Sequence, residues 1–224
     1  MRLLLTACTI AILAVSAETI RCTFTPSDSP LILDPTAAFW KDGRAAAFSH
    51  DSFGRDTGLK PTEVRVRWSK QFLYVLFAGH FEVLHLKPDP VTDRDTVPLW
   101  DWDVAELFIG ADFSNIQRYK EFEVSPQGEW VDLDVRKDLK DFDWKWNSGF
   151  EPAARIDREA KVWYAGMKIP WTSIGGAAKV GSEYRVNFYR IEGPPPVRKF
   201  LAWQPTKSAS YHVPEEFGRM ILVR

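Results

Sequence analysis

Glu63-Val64-Arg65-Val66-Arg67-Trp68-Ser69-Lys70-Gln71-Phe72-Leu73-Tyr74-Val75-Leu76-Phe77-Ala78 is the stretch on which the fold reading turns. From Glu63 to Trp68 the apolar residues fall on every second position, which puts one strand face in a core and the other in water. Phe72 to Ala78 is apolar almost throughout and reads as a strand covered on both faces. The short polar break Ser69-Lys70-Gln71 is a hairpin connection by length and turn chemistry.

The same grammar continues outward. Val104 to Ile109, Tyr119 to Val124, Trp130 to Val135, Lys161 to Ile169, Glu183 to Ile191 and Met220 to Val223 read as strands, with a short one near Trp203. Pro126-Gln127-Gly128 is a second hairpin turn. One helical turn is expected at Pro170-Trp171-Thr172-Ser173-Ile174, opened by the proline and stopped by Gly175-Gly176. Many short strands in a chain with almost no helical period predict an all-β fold, an antiparallel two-sheet β-sandwich of jelly-roll type. The long irregular segments at residues 80–101, 136–150 and 192–217 each contain Trp, the first and last also several Pro, and are not Ser/Gly-rich tracts; they read as ordered loops that carry function.

The chain has 224 residues, with 29 Lys+Arg against 30 Asp+Glu. That balance supplies no phosphate-neutralising surface and argues against a nucleic-acid partner. Residues 1–17 read as a signal peptide: Arg2, an apolar run from Leu3 to Val15, and a small-residue cleavage site at Val15-Ser16-Ala17. The run is too short to span a membrane, and no other stretch approaches the required length. The expectation is therefore an exported chain, periplasmic or extracellular, with residues 18–224 as one domain. Leu5-Thr6-Ala7-Cys8 resembles a lipoprotein box, but too few residues precede Cys8 for an apolar region. Cleavage removes Cys8 and leaves Cys22 alone, so no disulfide framework is expected.

No nucleophile elbow, phosphate loop or metal-ligand spacing occurs, and His50, His80, His85 and His212 are scattered. The strongest chemical signal is Leu99-Trp100-Asp101-Trp102-Asp103-Val104-Ala105-Glu106, where a long loop enters a strand. Glu106 falls on a strand face with apolar neighbours, where a lone carboxylate is costly and needs a fixed partner. Glu121 and Glu123 share a face of the next strand, and Asn187 and Tyr189 share a face of a third, with Arg190 opposite. Tryptophan beside carboxylate and amide groups suits a sugar, whose C–H face lies on a ring while its hydroxyls pair with polar groups. Trp68, Trp130 and Trp163 sit within strands and read as core.

From Leu31 to Arg224 the sequence resembles carbohydrate-binding module family 9, especially its stand-alone exported members. The resemblance rests on Trp100-x-x-Asp103-x-x-Glu106-x-Phe108-Ile109 and Tyr119-x-Glu121-Phe122-Glu123-Val124-x-Pro126-x-Gly128. Ile169-Pro170-Trp171 with Gly181, Asn187-Phe188-Tyr189-Arg190, Trp203, and His212-x-Pro214-x-x-Phe217-Gly218 follow in order. It implies a β-sandwich that clamps a sugar of xylan or cellulose type between two rings. Trp100 is one of them; the second is Trp203, with Tyr211 as its competitor. Glu106 and Asn187 would bond hydroxyls, with Asp103 and Glu121 as further polar groups of the site. Calcium is structural in some members; Asp101, Asp103, Asp138, Asp141 and Asp143 offer oxygens, although solvated acidic loops are the plainer reading.

The resulting expectation is a non-catalytic binding protein that needs no cofactor and supports carbohydrate catabolism, with polysaccharide-degrading enzymes as candidate partners. Two other readings compete. A haem-binding redox sandwich would need a Met with His or Lys, but the mature chain has only Met167 and Met220, and Met167 alternates with Ala165 and Ile169 as packing. A glycoside hydrolase would need an acid–base pair that no residue here announces. The leader generates the first test. N-terminal sequencing of the exported protein should begin near Glu18, and an intact Met1 in the periplasm or medium would contradict cleavage.

Overall fold

The computed structural model describes residues 18–176 and 178–224, so the leader, its cleavage site and Cys8 lie outside the described residues. The first strands are β1 (Thr19–Phe24), β2 (Arg44–Phe48), β3 (Thr62–Trp68) and β4 (Phe72–His80). β5 (Val104–Gly110), β6 (Arg118–Val124), β7 (Trp130–Arg136) and the short β8 (Asp141–Asp143) follow. β9 (Glu151–Asp157) and β10 (Val162–Pro170) lead into α1 (Trp171–Ile174). β11 (Glu183–Glu192), β12 (Lys199–Ala202) and β13 (Gly218–Val223) complete the order. The hairpins at residues 69–71 and 126–128 join antiparallel pairs, as their turn residues predict. α1 is one turn following Pro170, and Gly175 ends it at φ +84°, a conformation strained for any residue with a Cβ.

The all-β expectation holds, but the arrangement of sheets differs. The strands form one hydrogen-bonded path, β8-β7-β6-β5-β11-β13-β1-β3-β4-β10-β9, with β12 added to β11 and β2 to β3. β1 runs parallel to both β13 and β3, pairing Ile20 with Met220 on one side and Phe24 with Trp68 on the other. The expected antiparallel two-sheet sandwich is therefore corrected to one curled, mixed sheet. The reason is non-local: β1 finds its partners late in the chain and beyond β2, and a short strand carries no local mark of its neighbour's direction. Strands β1, β2, β8 and β9 are all additions to the sequence reading.

The curl folds the sheet over one inner core. Phe77 of β4 meets Phe188 of β11 edge-on with ring centroids 5.8 Å apart. Phe122 of β6 and Trp130 of β7 both pack on Phe150, just ahead of β9. Arg190 also turns inward and is fully buried. It donates to Thr62 Oγ1 at 3.1 Å and to the His80 carbonyl, and it pairs with Glu192 at 2.7 Å. Gly79 makes room for it, since a Cβ there would lie 2.7 Å from the guanidinium carbon. On the far face of β4, Tyr74 and Leu76 are covered by Leu33, Phe39 and Trp40, so this strand is indeed buried on both faces.

Trp203, expected as the second sugar ring, belongs to the inner core. It packs on Phe188 at 5.5 Å between ring centroids, and its Nε1 donates to the Glu18 carboxylate at 2.9 Å. Period-two geometry explains the correction. Ala202 faces the outer side of the sheet, so the next residue, whose N–H continues the pairing to Phe188, must face inward. A Cβ on Gly218 would lie 2.5 Å from the Trp203 ring, so the ring fills space that the glycine leaves. Trp203→Ala should accordingly cost about 3–5 kcal/mol of stability. Denaturant unfolding measures this, and an unchanged midpoint would show that the ring is not core.

Candidate functional site

The second face of β5, β6, β7 and β11 is as deeply buried as the first. Val104, Glu106 and Phe108 alternate onto it from β5, Tyr119, Glu121 and Glu123 from β6, and Asn187, Tyr189 and Ile191 from β11. Strand register sets Glu106 between Glu123 and Tyr189, and Phe108 between Glu121 and Asn187. The long loops close over this floor with Leu99, Trp100, Phe142, Tyr211 and Phe217. They leave a cavity of about 360 Å³, whose lining includes Trp100, Phe142, Trp144, Phe200 and Tyr211 around Glu106, Glu121 and Glu123. That volume lies within the range of ordinary small-ligand sites.

Each wall is fastened from behind. Asp103 is fully buried and accepts from the backbone N–H groups of His85 at 3.1 Å and Gly193 at 2.6 Å, tying two loops to the start of β5. Arg198 donates to the Trp100 and Trp102 carbonyls at 2.8 and 2.6 Å and to the Gly193 carbonyl at 3.1 Å. The backbone at Trp100 and Trp102 is thus held by one side chain, Arg198, which also ties it to Gly193. Trp144 lies against Trp100 at 5.4 Å and stacks on Phe142 at 6.3 Å. Arg136 secures this edge by pairing with Asp141 at 2.8 Å and Asp143 at 3.3 Å. Opposite, Tyr211 stacks on Tyr189 at 4.0 Å, and its hydroxyl donates to the Leu201 carbonyl at 3.1 Å.

The floor holds three carboxylates whose oxygens lie within 4.8 Å of one another. Glu106, Glu121 and Glu123 are respectively 2, 4 and 1% exposed. Burial, with the charge of Glu121 second, drives Glu106 well above the ordinary carboxyl range. Burial likewise raises Glu123 strongly, helped by Glu106 and Glu121, while Glu121 itself is raised to about 7. The hydrogen bond between Glu121 and Glu123 favours the proton on Glu123 and the charge on Glu121. His212 stands at the edge, with Nδ1 2.8 Å from the Tyr119 hydroxyl and Nε2 4.0 Å from Glu121. Burial and then Lys137 lower its pKa to about 4, so its imidazole is neutral at pH 7. With Tyr119 donating to Nδ1, the Nε2 proton faces Glu121.

The structure thus brings together Trp100, Glu106, Glu121 and Tyr211 of the residues named from sequence. Asp103 and Asn187 serve behind the site. Asn187 donates to the Tyr189 hydroxyl at 2.8 Å and the Gln204 carbonyl at 2.9 Å, and its Oδ1 accepts from Phe188 and Gln204, leaving nothing for a ligand. Of the candidate calcium ligands, Asp138 pairs with Asn115 and Arg118, and Asp141 and Asp143 with Arg136, so these oxygens do not converge. Trp144, Phe142, Phe200, Glu123 and His212 line the cavity without having been singled out as ligand contacts. A sequence signal existed for some of them: Phe142 and Trp144 alternate within a loop, and Glu123 repeats Glu121 at period two.

The carboxyl cluster makes stability depend on pH. A carboxyl held above its ordinary value of 4.5 keeps the folded chain more protonated than the unfolded one, so stability falls as pH rises past that value. His212 contributes the opposite slope, but only between about 4 and 6.5. Between about pH 6.5 and about pH 8.5 the thermal midpoint should therefore fall, and Glu123→Gln should flatten that fall. An unaltered slope in the variant would mean that Glu123 does not retain its proton.

A family model described as carbohydrate family 9 binding domain-like matches residues 36–224. An Arthroderma benhamiae protein described as an extracellular protein is 24% identical over 177 residues, which cover 72% of this chain and 78% of that one. A Bacteroides uniformis structure, of a candidate carbohydrate-binding protein, superposes with a TM-score of 0.75 at 14% identity, over 92% of this chain and 100% of that one. A carbohydrate-binding module of family 9 from Caldicellulosiruptor kristjanssonii, in complex with cellotriose, gives 0.67 at 14% identity over 92% and 94%. At such identities the two structures establish a shared fold and nothing finer. The family match extends from the segment that covers β4 to the last residue, and the chain belongs to the carbohydrate family 9 binding domain-like family.

Proposed function

We propose that this protein is an exported, non-catalytic carbohydrate-binding protein whose ligand sits in the cavity above β5, β6 and β11. One observation carries the reading: a cavity of about 360 Å³ is walled by Trp100, Trp144, Phe200 and Tyr211 and floored by hydrogen-bonding carboxyls. Rings take the C–H faces of a sugar, and carboxyl groups that are part ionised, part protonated both accept from and donate to hydroxyls. Export is supported by the leader pattern at residues 1–17 and by the name of the Arthroderma benhamiae relative. Among the described residues no helix is long and apolar enough to cross a membrane. A sugar of xylan or cellulose type, and a supporting role beside separate polysaccharide-degrading enzymes, fit the family and the cellotriose complex of the Caldicellulosiruptor module.

The competing readings fit the geometry less well. Glycosidic cleavage needs two carboxyls flanking the scissile bond at about 5–5.5 Å or about 6.5–9.5 Å. Here Glu106, Glu121 and Glu123 all lie together on one floor of the cavity instead of flanking it. For the haem reading, Met167 and Met220 lie in the inner core while His212 lines the outer cavity, so they stand on opposite sides of the sheet. The aromatic platform moves from Trp100 with Trp203 to Trp100 with Trp144, facing Tyr211. Calorimetry with cello- and xylo-oligosaccharides should show Trp100→Ala and Trp144→Ala each weakening binding by about tenfold or more, with little change in thermal midpoint. Unchanged affinity in both variants would remove the cavity as the site.

A further inference from the structure

Resting on the sugar reading of this cavity, we infer that its preferred ligand is an amino sugar, a glucosamine-type unit whose free ammonium group seats among Glu106, Glu121 and Glu123. Three observations converge on a cation. The three carboxyl groups lie within 4.8 Å of one another, and Glu121 Oε2 and Glu123 Oε2 are buried with no donor from outside the cluster. Among the described residues no lysine or arginine forms an ion pair with any of the three; His212, neutral and 4.0 Å from Glu121, is the nearest basic ring. The cations at hand are engaged elsewhere: Arg198 donates to three backbone carbonyls and Lys137 to the His212 carbonyl at 2.6 Å.

Structural carboxylates buried this deeply are ordinarily matched by a fixed positive partner, because like charges at such spacing repel and desolvation adds to the cost. Here no lysine or arginine among the described residues pairs directly with the three; Arg198 acts on Glu106 only through its charge while its donors go to backbone carbonyls, and the group opens to a cavity. A neutral hydroxyl offers one proton to this floor. An ammonium group offers three N–H donors and a positive charge, which matches the charge on Glu121 and the unprotonated oxygens of Glu106 and Glu123, and its arrival favours ionisation of the cluster. The surrounding Trp100 and Tyr211 rings add cation–π attraction in a water-poor setting while still covering the sugar ring. Both halves of an amino sugar are thereby accommodated, the ring by the aromatic walls and the ammonium group by the carboxyl floor.

The experiment compares the β-1,4-linked glucosamine disaccharide with cellobiose, which differs at the amino positions, by calorimetry on the mature protein. The amino disaccharide should bind at least about tenfold more tightly, and Glu121→Gln or Glu106→Gln should collapse that ratio towards unity. Cellobiose binding equally well or better, in a manner lost in Trp100→Ala, would overturn the amino-sugar inference and leave the sugar reading standing. Binding of neither sugar would overturn the sugar reading itself. Stoichiometric calcium binding, measured with the metal alone and abolished by Glu123→Gln, would identify the carboxylates as a metal site and overturn the inference. Because the amides are near-isosteric, circular dichroism of each variant separates a lost charge from a lost fold.

Discussion

Strands buried on both faces are the constraint on which this protein depends. The buried residues of β5, β6 and β11 divide between two environments, an inner core shared with β4 and β10 and an outer floor roofed by loops. Alternation then assigns every side chain. On β11, Phe188 and Arg190 go inward while Asn187, Tyr189 and Ile191 go outward, and a slip of one residue would exchange the two sets. The buried polar groups police that register. Arg190 reaches Thr62, His80 and Glu192 only from the inner face, through the space left by Gly79.

The outer floor acquires its chemistry from the same constraint. A loop-roofed sheet face excludes water without filling the space completely, so carboxyls placed there are desolvated and their charges interact strongly. The loops are ordered because polar side chains hold their backbones: Asp103 fixes the segments at His85 and Gly193, Arg198 fixes Trp100, and the line from Asn187 through Tyr189 fixes Tyr211. Trp100 and Tyr211 at the rim are therefore held in place before anything enters the cavity. Asp103 and Asn187 belong to this scaffolding, although their residue types are those of ligand contacts.

Much of the fold was legible because its information is local. Glu63–Trp68 and Phe72–Ala78 declare a half-buried and a fully buried strand, the turns at 69–71 and 126–128 declare hairpins, and Pro170 with Gly175 brackets the single helical turn. The motif around Trp100 and Glu106 located one wall and part of the floor. Trp203 escaped correct placement because a tryptophan near a proline-rich loop looks alike whether it faces ligand or core. Its side is decided by the alternation that begins at β12 and by the hollow at Gly218.

Local patterning was enough for an all-β chain, most of its strands and its family resemblance, and it pointed to Trp100, Glu106, Glu121 and Tyr211, which line one cavity. These follow from period-two patterning and from residue types whose burial or chemistry is costly to misplace. Only the tertiary structure decided that β1 joins the two layers into one sheet through parallel pairs with β13 and β3. It alone set Trp144 rather than Trp203 beside Trp100 and gathered Glu106, Glu121 and Glu123, which form no direct ion pair with a lysine or arginine among the described residues. The physical reason is the same in each case: these are contacts between segments distant in sequence, fixed by sheet curvature and loop closure, and no short stretch of residues encodes them.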